Sequence, residues 1–254
     1  MTSYVPPSQC LGLLGKIVPL LEHSGTQVLD GSRFAGHPAK HICKLPEGTL
    51  YFENANDLDV DDDGFTSRPG TVWPAWRPAD WVTTPPHQEA TSYGGALGPP
   101  EGWSAFLHQY IVLPGTLNGD SGVWWRTEAG LKIGDGAVVI KGSQWISCVF
   151  VDTGPGNKIG EMSLAAHAKF RNPATLFEAS HEARENGGVV QRESAGRPNI
   201  KAVSRTTNRA TPGPFITLVF PRTSLSSLST TKLFTNISAK FAALVGQPGP
   251  GTAL

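Results

Sequence analysis

The run WISCVFVDTGPGNKIGEMS (residues 145–163) passes from an apolar segment through a cluster of turn formers to a second carboxylate. Its composition predicts a strand from Ile146 to Val151, ending at Asp152. A tight Thr-Gly-Pro-Gly turn follows, and Gly160-Glu161 then opens a small-residue helix. Asp152 and Glu161 are thereby held on one rim. A carboxyl at the end of an apolar strand suits a protonated role, and one in the first turn of a helix suits an ionised role. Two carboxyl groups in contrasting surroundings are what general acid/base chemistry uses. The same two positions also suit an Asp that caps its own turn and a Glu that complements a helix dipole.

Working outward, 254 residues can bury one good core with a small appendage. Gly and Pro number 29 and 21, which is high for a helical protein and too few for a disordered one. No apolar run reaches the length of a membrane span, so a soluble, loop-rich domain without a membrane partner is expected. Net charge is zero but unevenly spread: residues 1–168 carry −7 and residues 169–254 carry +7. The acidic front suits a cationic substrate, and the basic tail suits an anionic one or simply balances the front, so the asymmetry alone does not choose. Cys10, Cys43 and Cys148 have no metal-type spacing, and Cys148 falls inside the predicted core strand. The start, MTSYVPPSQC, lacks the layout of a secretory signal, so a secreted location calls for a removed leader or a leaderless route.

Toward the N-terminus, Leu11, Leu14, Ile17, Val18 and Leu21 recur at helical spacing between Ser8 and Ser24, with Pro19 as a kink or stop. His37 and His41 are four apart, but Pro38 lies between them and no third ligand is evident. Leu45 to Phe52 reads as a strand. In NANDLDVDDDG (residues 54–64), Asp59, Asp61 and Asp63 alternate before Gly64. They match the first half of a calcium loop, which lacks its closing Glu, a short strand with three carboxylates on one face, or a solvated surface turn. Residues 66–104 are rich in Pro and Trp. Trp73, Trp76, Trp81 and Trp103 can stack on sugar rings or pin a long loop to the core.

Between Trp103 and Phe150, FLHQYIVLP, GVWWRTE, AVVIKG and WISCVFV are short β-branched and aromatic runs parted by turn residues. They imply an all-β barrel or sandwich. Residues 171–213 are polar, basic and poorly periodic. PFITLVFP (214–221) is another buried strand, and Ser229 or Thr230 caps a last helix bearing Leu233, Phe234, Ile237, Phe241 and Leu244. There is no nucleophile elbow, phosphate loop or dinucleotide fingerprint. Basic residues do not interleave with aromatics, which argues against a nucleic-acid partner.

DTGPGNKIGEMS (152–163) resembles the D-x-G-P…I-G-E-x-S signature of glycoside hydrolase family 75 endo-chitosanases, and LDVDDDG (58–64) is similar to that family's Asp-rich stretch. HQEATSY, QYIVLPG, a Gly-Asp turn, AVVIKG and PFITLVFP follow in the same order, so the likeness spans about residues 45–221. It implies a mainly β fold, a six-stranded barrel-like core with long loops and a few short peripheral helices. It also implies Asp152 and Glu161 as the catalytic pair of an inverting enzyme that cleaves β-1,4-linked glucosamine polymer. The chain departs from the pattern after Glu161, in SLAAHAKFRNP, and in the basic segment 171–213.

Taken together, a helical extension (1–44), a catalytic domain (45–221) and a C-terminal helical extension (222–254) are expected. Asp152 is assigned as the acid and Glu161 as the base. Asp59, Asp61 and Asp63 would pair with substrate ammonium groups, and Trp124 and Trp125 would stack on sugar rings. Neither metal nor cofactor is expected, and the protein is expected to be a secreted monomer acting on chitosan. The rivals are a muramidase-like enzyme acting on peptidoglycan and a non-catalytic polysaccharide-binding module.

Overall fold

The computed structural model describes residues 18–21, 42–45, 47–54, 57–61, 91, 103–105, 107–114, 130–154, 160–171, 211–224 and 230–246. These are mainly β. The strands are β1 (Val18–Leu21), β2 (Ile42–Lys44), β3 (Leu50–Asn54), β4 (Asp57–Asp61) and β5 (Tyr110–Pro114). There follow β6 (Gly136–Lys141), β7 (Gln144–Gly154), β8 (Glu161–Ser163), β9 (Thr211–Pro212) and β10 (Phe215–Phe220). Two helices, α1 (Leu164–Phe170) and α2 (Thr230–Val245), complete the described elements. Six of the strands, β3 to β7 and β10, have five residues or more.

The mixed sheet runs in the order β1-β2-β3-β10-β6-β7-β5-β8-β4-β9. Only residues 55 and 56 separate β3 from β4 in the chain, yet five strands stand between them in the sheet. The sheet must therefore curl until its two sides approach. The pairing shows how: β10 runs antiparallel to β3, with Phe215 opposite Asn54. The same register resumes between β9 and β4, with Pro212 opposite Asp57 and Thr211 opposite Leu58. The ladder is broken between those pairs, where Pro214 has no amide hydrogen to donate. The sheet is accordingly curled and barrel-like, and it does not close into a continuous barrel.

Alternation along the strands sorts the apolar residues onto two faces. Leu50, Phe52, Leu58, Ile111, Val139, Cys148, Phe150, Met162 and Phe215 fill the inside of the curl. Tyr51, Tyr110, Val112, Val138, Val149, Ile216 and Leu218 line its outside, where Trp103 and the Leu233, Ile237 and Phe241 face of α2 pack on them. Trp145 meets Phe241 with ring centroids 5.0 Å apart. Gly136 lets α2 lie against β6, because a Cβ there would collide with the side chain of Ile237.

Three expectations need correction. Residues 18–21 form a strand paired with β2, not part of a helix: Pro19 interrupts helical bonding, and an edge strand tolerates it. The strand after Ile146 continues through Thr153 to Gly154, because β5 offers a parallel partner beyond the point where β6 ends. Glu161 lies in a strand and not in a helix, since β8 is held between β4 and β5. Of the three readings of this stretch, the strand is the one observed at Asp59 and Asp61. His37, His41, Trp73, Trp76 and Trp81 lie outside the described residues, and Trp103 is buried against the sheet with its ring edge-on to His108.

Candidate active site

β7 has eleven residues and two partners in succession. Its first half forms a hairpin with β6, from Lys141–Gln144 to Gly136–Val149, and its second half runs parallel to β5. Tyr110 stands opposite Val149 and Ile111 opposite Phe150, but Val112 is opposite Asp152. Val151 is thus an extra residue, a bulge. Simple alternation from Ile146, Cys148 and Phe150 would send Asp152 into the apolar inside of the curl. The bulge instead puts it in register with Val112 on the outer face.

β8 reaches the same place from the other side of β5. Its antiparallel pairing sets Met162 opposite Ile111 and Glu161 opposite Val112. Asp152, Val112 and Glu161 therefore form one row across β7, β5 and β8. Directly paired residues of neighbouring strands share a face, so both carboxylates flank the Val112 side chain. Two strand spacings, roughly 9.5 Å, separate their Cα atoms. The Glu161 side chain leans across β5, because its Oε2 is the atom nearest to where a Cβ of Gly154 would stand. Gly154 is two residues beyond Asp152 on the same strand face, about 7 Å along β7. The parallel pairing of β4 with β8 extends the row, with Asp59 at the position opposite Glu161 and Asp61 opposite Ser163.

Local bonds fix the frame. Asp152 is buried, at 5% exposure, and its Oδ1 accepts from the Thr153 amide at 2.7 Å. Glu161 is half-buried. Ser163, fully buried, ends β8 and caps α1: its Oγ accepts from the amides of Ala166 and Tyr110 and donates to the His108 carbonyl. One hydroxyl thus ties β8, β5 and α1 together. The first turn of α1 holds no acidic residue, so the helix-dipole reason for making Glu161 the base falls away.

Of the sequence-derived site residues, Asp152 and Glu161 are brought together, and Asp59 and Asp61 lie in the adjoining strand. Asp63, Trp124 and Trp125 lie outside the described residues. The sequence reading missed the place of Val112, and it took Gly154, a strand residue, for part of a turn. Only the strand register reveals either. No protein-family model matches the chain, and no curated protein matches it. The arrangement defines a class no narrower than a curled mixed β-sheet carrying paired carboxylates on its outer face.

Proposed function

We propose that the protein is an inverting endo-glycosidase acting on a β-1,4-linked glucosamine polymer. The observation that carries this reading is the row Asp152–Val112–Glu161, with one carboxylate on each side of a small apolar side chain. Inverting glycosidases hold their two carboxyl groups roughly 6.5–9.5 Å apart, leaving room for a water on the far side of the sugar. The backbone spacing and the lean of Glu161 toward Gly154 are compatible with that range. One carboxyl protonates the departing glycosidic oxygen, and the other removes a proton from the attacking water. Water reaches half-buried Glu161 more readily than Asp152, which favours Glu161 as base. Asp59, next in the row, and the −7 charge of the front of the chain suit a polymer of glucosamine ammonium groups. The resemblance of residues 58–64 and 152–163 to family 75 chitosanases points to the same reaction, and a polymer of this kind implies a protein that works outside the cell.

Reducing-end release from chitosan, chitin and peptidoglycan, measured side by side, tests the proposal. Release from chitosan, with the α-anomer formed first by NMR, is the expected result. Release from peptidoglycan alone would make the protein a muramidase-like enzyme. Saturable polysaccharide binding without new reducing ends would make it a binding module.

A further inference from the structure

The geometry points to Gly154 as a positioning residue for Glu161: its missing side chain is the space in which the Glu161 carboxylate stands. This rests on the glycosidase reading above and adds to it a residue that touches no reacting atom. A Cβ on Gly154 would fall on Oε2 of Glu161 and come within 3.2 Å of Val112 Cγ1. Gly154 is not among the glycines with positive φ, so its backbone would accept any L-residue. Glycine is needed here for room and not for conformation.

The obstruction is also of an unusual kind. At Gly136 an added Cβ meets the branched core side chain of Ile237, which has nowhere to go. At Gly154 it meets the far end of a rotatable, half-buried side chain. Alanine at 154 therefore forces the carboxylate of Glu161 to swing aside and asks the buried Val112 side chain to give by a few tenths of an ångström. Because β5 lies between β8 and β7, that carboxylate crosses Val112 to reach its place, and Gly154 sets how far it goes. A displacement of about 1 Å can cost on the order of 100-fold in rate when the group must meet a reacting atom.

The test compares wild type, Gly154→Ala, Glu161→Gln and the double variant on chitosan. Wild type is measured first, and its failure to release reducing ends overturns the glycosidase reading. Given wild-type turnover, Gly154→Ala should lower kcat roughly 100-fold with KM little changed and the thermal midpoint within about 3 °C of wild type. In the Glu161→Gln background the same alanine should change kcat by less than about twofold, since the group it displaces no longer acts as a base. Undiminished kcat in Gly154→Ala, or an equal loss in both backgrounds, overturns the role of Gly154 alone. Should the alanine lower the midpoint further, its effect is compared in the two backgrounds. An equal midpoint loss in both, with the turnover loss confined to the chain that keeps Glu161, supports the proposal, and turnover losses of equal size in both overturn it.

Discussion

Val151 turns Asp152 outward, and a polar residue inside a strand owes its position to that single extra residue. Without the bulge the carboxyl would enter a cluster of Ile146, Cys148 and Phe150, where an ionised group has no compensation. Replacing Asp152 or Glu161 by its amide should lower chitosan turnover by about 10²- to 10⁴-fold while polymer binding persists. An aryl glycoside with a good leaving group should restore turnover in the variant that lacks the acid and not in the one that lacks the base. A second buried carboxylate has a structural role. Asp135 accepts from the Lys132 amide at 2.7 Å and from the Thr223 amide at 2.8 Å, tying the turn before β6 to the segment after β10. Burial raises its pKa above the usual 3.8, against the pull of these backbone bonds. Below 3.8 the group is protonated in folded and unfolded chains alike. As pH rises, the unfolded chain ionises first, so this group's contribution to stability is lost up to the folded-state value. Urea midpoints from pH 3 to 7 should therefore fall with pH more steeply in wild type than in Asp135→Asn.

At the scale of elements, the short strand β8 depends on its neighbours. Three residues cannot hold themselves, and β8 is fixed by β4 on one side, β5 on the other and the Ser163 hydroxyl at its end. Ser163→Ala removes the cap of α1 and the acceptor for the buried Tyr110 amide. The cost should be about 2 kcal/mol in denaturant unfolding, with turnover reduced as well, because Glu161 sits two residues away. Helix α2 was legible from its spacing: Leu233, Ile237 and Phe241 are buried, and Phe234 and Leu244 flank them. The apparent periodicity around Val18 to Leu21 misled for a physical reason. Short apolar runs satisfy helix and strand patterns equally, and the pairing partner, Ile42 to Lys44, is distant in sequence.

For the molecule as a whole, the curl of the sheet brings acidic positions from distant parts of the chain into one row. Asp59 and Glu161 are about a hundred residues apart in sequence and opposite one another on neighbouring strands. Repulsion between like-charged positions is relieved by a cationic polymer and weakened by salt. On chitosan KM should therefore rise with ionic strength, and Asp59→Asn should both raise KM and flatten that rise. A neutral chitin oligomer measured under the same conditions should show neither effect.

Composition and alternation by themselves determined that this chain is mainly β, that Ile146 to Val151 and Phe215 to Phe220 are core strands, and that a last amphipathic helix ends the described part. Those features follow from local periodicity, which any stretch of chain carries within itself. Tertiary structure alone decided that Asp152 faces outward, that Glu161 belongs to a strand, and that Val112 stands between them. Register and bulges are set by which strands find one another, and that pairing links residues too far apart in the chain for any local pattern to specify.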